Sequence, residues 1–271
     1  MAQHLVFILV FALYVFSGCN QSAKKTENAR QTKQEQQEQS RKKTAPQKKP
    51  EQKSKKKRIP KLSNDNVKKV LTNYGNKHKE NTVLLKTTKG NIKIRLYRGT
   101  PLHRANFIML ANRDFYDKTV FYRVEKNFII QGGDSDDYER RKIKRNVGYY
   151  TIPEEMQPGR FYHKRGEVSM ALYFEENPDK RSSSYDFFIV QGTTYNDFNL
   201  DEIEKENNIK FTDAQRELYK TVGGAAHLDN QHTVFGQVID GMEVVDSIAA
   251  VRVDGKAWPR KDISMTVHVL D

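Results

Sequence analysis

The chain has 271 residues, 37% of them apolar and 10% aromatic, which is enough to bury one sizeable core, and it carries 47 Lys/Arg against 34 Asp/Glu. Its single cysteine excludes a disulfide within the chain, and nothing repeats at a fixed period, which excludes a solenoid or propeller. The formal charge of +13 raises nucleic-acid binding, but 15 Lys/Arg and only 4 Asp/Glu fall in residues 20–61, so the rest of the chain is nearly neutral.

Leu5 to Phe16 is an apolar run of twelve residues, too short to span a bilayer and the right length for the core of a secretory signal. Phe16-Ser17-Gly18-Cys19 resembles a bacterial lipobox, although Met1-Ala2-Gln3-His4 lacks the usual cation. That resemblance implies a signal peptide over residues 1–18, a lipidated Cys19 anchoring the protein in a membrane, and a place in the bacterial cell envelope facing the periplasm. The alternative is a buried N-terminal helix with a chance cysteine. Residues 19–61 then form a basic tether, polar enough that disorder is the expectation. Its run Lys53 to Arg58 has the charge to bind nucleic acid, but on an exported chain contact with anionic lipid or other envelope material fits better.

Residues 62–81 predict a short amphipathic helix and linker docked on the domain that follows. Val67, Val70, Leu71 and Tyr74 have helical spacing, and Gly75 stands as a C-terminal stop. From Thr82 the pattern becomes that of a domain. Val83 to Thr88, the turn Lys89-Gly90, and Ile92, Ile94 and Leu96 alternating with Lys93 and Arg95 predict a hairpin with one buried face. Thr100-Pro101 opens a helix expected to run to Phe115-Tyr116. Phe121 to Asp134 predicts two short strands joined at Lys126-Asn127, the second ending in a glycine pair. Arg123 would project from the first toward an apolar neighbour, or else snorkel to solvent as barrel arginines do.

Phe121-Tyr122-Arg123-Val124 followed by Phe128-Ile129-Ile130-Gln131-Gly132-Gly133-Asp134 resembles the signature of the cyclophilins, the prolyl cis-trans isomerases. Tyr122 stands where that family usually has His, and Ile129 where Met is common. Gly166 to Ala171 resembles the next strand, and Ser182 to Val190 the following one, with Asp186 in place of an expected Gln. Residues 193–222 form an insertion of helical spacing broken at Asn207-Asn208. His227 to Gly236 resembles the family string Trp-Leu-Asp-Gly-x-His-Val-Val-Phe-Gly, with His227 at the Trp position and Leu228 and His232 retained. A helix after Asp240-Gly241-Met242 and a strand over Ile263 to Leu270 complete the pattern. The resemblance covers residues 82–271 and implies a mainly β fold: a closed, eight-stranded antiparallel barrel capped by two helices, with a small helical insertion.

It also implies a chemistry. Arg123 would donate to the prolyl nitrogen of a twisted Xaa-Pro amide, with Gln131 beside it. Phe128, Ile129, Phe188 and Leu228 would seat the proline ring, and Gln131, the backbone at Ala171-Leu172 and His232 would hold the flanking peptide. Asp186 and His227 line the same groove. No cofactor is expected, and no metal, since His227 and His232 are too far apart to share a helix face and no cysteine lies near. The partners implied are proline-containing polypeptides, and a monomer is the expected state. Two other readings stay open: a binding module made catalytically weak by Asp186 pairing with Arg123, and a structural lipoprotein with the barrel as spacer.

Overall fold

The computed structural model describes residues 60–134 and 138–270. The signal-like run, Cys19 and the tether up to residue 59 lie outside the described residues.

Alternation decides the first hairpin. Strands β1 (Thr82–Thr87) and β2 (Gly90–Leu96) pair antiparallel with Thr87 opposite Gly90, and Val83, Leu85, Ile92 and Ile94 are wholly buried on one face while Lys86 and Arg95 face solvent. Six further strands follow: β3 (Thr119–Glu125), β4 (Ile129–Asp134), β5 (Glu167–Met170), β6 (Phe187–Val190), β7 (Val234–Asp240) and β8 (Ser264–Val269). They close in the order β1-β2-β7-β5-β6-β4-β3-β8, with every pair antiparallel and β8 returning to β1. Closure leaves no strand edge open to pairing with another chain. The eight-stranded barrel expected from the sequence is therefore the observed architecture.

Helix α1 (Val67–Lys77) does not stop at Gly75 as expected; the glycine is buried inside it. A Cβ there would lie 3.0 Å from that of Ala105, so Gly75 is where α1 crosses helix α2 (Pro101–Ala111). This crossing explains why α2 is buried on every side from Leu102 to Ala111, its polar residues included: the barrel covers one face and α1 the other. Buried polar groups need partners, and each has them. Arg104 donates to the carbonyls of Gly75, His78 and Glu80, which caps the end of α1. Asn106 donates to the Ser184 carbonyl and accepts from the Tyr150 hydroxyl. The Glu155 carboxylate accepts from the N–H groups of Leu102 and His103 and from His103 Nδ1, supplying the N-terminal cap that the Thr100 side chain does not make. Leu62, Val67 and Leu71 belong to the same apolar core as the barrel interior.

Two further differences from the sequence expectations stand out. Helix α2 ends at Ala111, and Asp114 takes a left-handed backbone conformation (φ 55°) that turns the chain before Phe115-Tyr116 can join it. Helix α3 (Tyr138–Val147) was not foreseen. It is a run of cations anchored by Ile143 and Val147 and by Lys144 pairing with Asp134. The insertion forms two helices, α4 (Asp197–Asn207) and α5 (Asp213–Thr221), separated as expected at Asn208, which caps α4 in the left-handed region. They enclose a core of their own built from Leu200, Ile203, Phe211 and Tyr219. A last helix, α6 (Met242–Ala249), packs on β2, β3 and β4.

Candidate active site

Strand register places the candidate residues in one line. Arg123 on β3 lies opposite Gln131 on β4, Gln131 opposite Phe188 on β6, and Phe188 opposite Ser169 on β5. The neighbouring row Val124, Ile130, Ile189 and Val168 is buried in the barrel core. Since side chains alternate along a strand, the Arg123 row must face outward, so the site lies on the outer wall of the barrel. Glycine lets β4 sit there: Gly133 has φ +106°, and a Cβ on it would meet the Tyr185 carbonyl oxygen at 2.3 Å.

A second apolar cluster covers that wall. Ile129, Phe188, Val190 and Ala225 are almost wholly buried, and half-buried Phe128, Ala171 and Leu228 rim them. Ile129 and Phe188 thus form the base of the seat, and Phe128, Ala171 and Leu228 its accessible border. His232 stands edge-on to Phe188 with ring centroids 5.3 Å apart. Burial, with His163 nearby, pushes its pKa down to about 3, so the ring is neutral. Its Nδ1 lies 3.2 Å from the Met170 carbonyl, which can only accept, so Nδ1 carries the proton and Nε2 the lone pair. Beneath Phe188 lies His163, stacked at 6.0 Å and 16°, its Nδ1 bonded to Asp229.

Arg123 is the cation beside this seat, 42% exposed. Its Nε and Nη2 donate to Glu125 Oε1 (2.7 and 2.6 Å), its Nη1 lies 3.4 Å from Gln131 Oε1, and its guanidinium carbon is 5.8 Å from the centre of the Phe128 ring. A guanidinium has five N–H donors, so Arg123 keeps donors for a ligand while being held in plane. The pairing of Asp186 with Arg123 considered from the sequence is not what the structure contains. Asp186 is buried, and its oxygens accept from the Tyr122 hydroxyl (3.0 Å) and from Ser183 Oγ (2.7 Å). Burial raises its pKa, against those two hydrogen bonds. One further reading changes. The N–H of Ala171 donates to the Asp186 carbonyl, and its own carbonyl accepts from Ser183, so the Ala171 backbone is already engaged, while Leu172 beside it is half-buried.

Residues not singled out from the sequence complete the site. Glu125 was legible in principle, being two residues from Arg123 on one face of a strand. Tyr122 was noted only as standing where the family usually has His, yet its hydroxyl joins Asp186 to Gln131. Phe174, 69% exposed, places its ring edge on His232 at 5.7 Å and extends the apolar border. His227 sits across the groove with its ring 5.1 Å from Phe128. The insertion holds it there: Asn207 donates to its carbonyl, and Tyr195 lies 3.4 Å from its Nδ1.

Fold and site together define a closed antiparallel barrel whose outer wall carries an apolar seat with one positioned arginine beside it. The chain belongs to the cyclophilin type peptidyl-prolyl cis-trans isomerase family, whose profile matches residues 82–269. A peptidyl-prolyl cis-trans isomerase of Acinetobacter baylyi is 34% identical over 62% of this chain and 72% of its own length. A protein of Streptococcus pyogenes named as a bifunctional phosphatase and peptidyl-prolyl cis-trans isomerase is 32% identical over 70% of this chain, and the match spans only 38% of that longer protein. The crystal structure of a Cryptosporidium parvum cyclophilin, determined in the presence of the dipeptide Ala-Pro, shares the fold with a TM-score of 0.50 at 22% identity, covering 70% of this chain and 99% of that one.

Proposed function

We propose that this chain is a peptidyl-prolyl cis-trans isomerase acting on proline-containing polypeptides. The observation that carries the proposal is Arg123, held by Glu125 and Gln131 beside a seat of Phe128, Leu228 and Phe188. An Xaa-Pro bond exchanges over a barrier of ~18–20 kcal/mol because amide resonance is lost as the C–N bond rotates. During rotation the prolyl nitrogen pyramidalises and gains a lone pair, so a donor aimed at it stabilises the twisted amide more than either planar isomer. The seat holds the ring, and neutral His232 and the Leu172 backbone hold the flanking peptide. No bond to the protein forms, so the reaction requires no nucleophile, metal or cofactor. The test is the cis-trans exchange rate of a prolyl peptide measured by NMR. Acceleration by catalytic amounts of protein is expected, and an unchanged rate would overturn the proposal. The binding-only alternative drew its support from an Asp186–Arg123 pair that the structure does not contain.

The exported setting belongs to the proposal as well, with Cys19 lipidated in the bacterial envelope and the clients being exported proteins. Acyl chains contribute ~0.8 kcal/mol per buried methylene and one chain alone is marginal, so firm anchoring needs several. Cys19→Ala is expected to move the protein from the membrane to the soluble fraction in a cell fractionation; equal membrane retention would remove the lipid anchor from this reading.

His227 supports a prediction about inhibitors. In the cyclophilins the indole at this position is a flat wall and hydrogen-bond donor for cyclosporin, and imidazole covers less area. His227→Trp is expected to tighten cyclosporin about fivefold or more, from ~1 kcal/mol of added burial at ~25 cal/mol/Å². Calorimetric titration checks it, and unchanged affinity would count against this alignment of the groove.

A further inference from the structure

Four side chains form a hydrogen-bonded line from the buried interior to the guanidinium. Asp186 Oδ1 accepts from Tyr122 Oη (3.0 Å), Tyr122 Oη accepts from Gln131 Nε2 (2.7 Å), and Gln131 Oε1 faces Arg123 Nη1 (3.4 Å). The chemistry of its two ends fixes its direction. Arginine can only donate, so the Gln131 carbonyl must face it, which leaves the Gln131 amide hydrogens to face Tyr122. The Tyr122 oxygen must then accept, and its own proton needs another acceptor. As a carboxylate, Asp186 can only accept, and Ser183 Oγ fills its second oxygen. Burial and the adjacent Asp186 both push the Tyr122 pKa up, so the phenol keeps the proton it donates.

We propose that Tyr122 and Asp186 are positioning residues that lock the amide of Gln131, and through it the guanidinium of Arg123, in the orientation the prolyl nitrogen requires. The proposal rests on the isomerase reading and extends it to the interior. Without an acceptor at Asp186 the Tyr122 hydroxyl is free to donate to Gln131 instead, the amide turns over, and its hydrogens meet a donor-only guanidinium. The two would then repel where they now hold each other. The family's usual Gln at position 186 also offers an acceptor oxygen, so the Asp departure preserves the direction of the line. Tyr122 is itself packed, its ring 5.9 Å from that of Trp258, the sole tryptophan of the chain.

The test uses the full-length protein and three variants, Tyr122→Phe, Asp186→Ala and Asp186→Asn, each checked for folding by thermal unfolding. Tyr122→Phe keeps the ring and its packing, so it isolates the hydroxyl. On a prolyl peptide, Tyr122→Phe and Asp186→Ala are expected to lower kcat about tenfold with KM changed less than about twofold, because a loosened donor is lost from the transition state and not from ground-state binding. Asp186→Asn, which retains an acceptor oxygen, is expected to recover most of the loss seen in Asp186→Ala. A second readout needs no turnover: the side-chain Nη1–H signal of Arg123, which faces Gln131 Oε1 and is assigned by its absence in Arg123→Ala, should exchange with water at least about tenfold faster in Tyr122→Phe and Asp186→Ala than in the parent or Asp186→Asn. Folded Tyr122→Phe with parental kcat and parental exchange would overturn the inference. A parent without isomerase activity would overturn the proposed function instead, and the exchange rates alone would then decide whether the line positions Arg123.

Discussion

Arg123→Ala is expected to lower kcat/KM on a prolyl peptide by at least about a hundredfold while leaving the barrel folded, a loss of ~2.7 kcal/mol in transition-state stabilisation, which is a reasonable size for one charge-assisted donor. Folding should survive because Arg123 is 42% exposed and its ion-pair partner Glu125 is 39% exposed, and pairs so accessible to water contribute little to stability. Arg123→Lys should recover little. An ammonium on a flexible stem cannot engage Glu125 through two nitrogens, reach Gln131 and still present a donor in a fixed plane. Asp186→Gln serves as a control, since relief of a carboxylate restraint on Arg123 would raise activity. No such rise is expected, because Asp186 bonds Tyr122 and Ser183 instead. Steady-state kinetics on one peptide compare all three variants. A folded Arg123→Ala protein with near-parental rates would reduce Arg123 to a snorkelling barrel arginine and remove the mechanism.

Asp229→Ala should produce the largest loss of stability. Asp229 is 2% exposed and accepts from the His163 backbone N–H (2.7 Å), from His163 Nδ1 (2.8 Å) and from the Tyr219 hydroxyl (2.6 Å). Its removal strands three buried donors at once, and each unsatisfied group costs about 1–3 kcal/mol, so a total of ~3 kcal/mol or more is expected. For a domain of this size that corresponds to a fall in Tm of roughly 6–12 °C. The damage should reach the site as well. His163 is the ring stacked beneath Phe188, and Tyr219 is the centre of the insertion's core, so Asp229 ties the base of the seat to the helices that hold His227. Thermal unfolding of the purified variant checks this, and a shift below about 2 °C would show that water replaces Asp229 without penalty.

Likeness to the cyclophilins pointed to most of the groove residues, and the sequence by itself determined the first hairpin, the two strands over Phe121 to Asp134, the turn at Lys126-Asn127 and the break at Asn208. These are local properties: period-two alternation buries Val124 and Ile130 and so turns Arg123 and Gln131 the other way, whichever strands lie alongside. Tertiary structure decided what depends on neighbours from elsewhere in the chain. Gly75 reads locally as a helix stop, and only the approach of Ala105 on α2 makes it a crossing point. The charged run Tyr138–Val147 has too few apolar residues to announce a helix, and it forms where Ile143 and Val147 meet the core and Lys144 reaches Asp134. Asp186 shows the limit most plainly. Its distance in sequence from Tyr122 and Arg123 left both within reach, and the register of β3, β4 and β6 chose the phenol over the guanidinium. A hydrogen-bond partner is set by which backbones lie side by side, and residue types along one strand do not encode that.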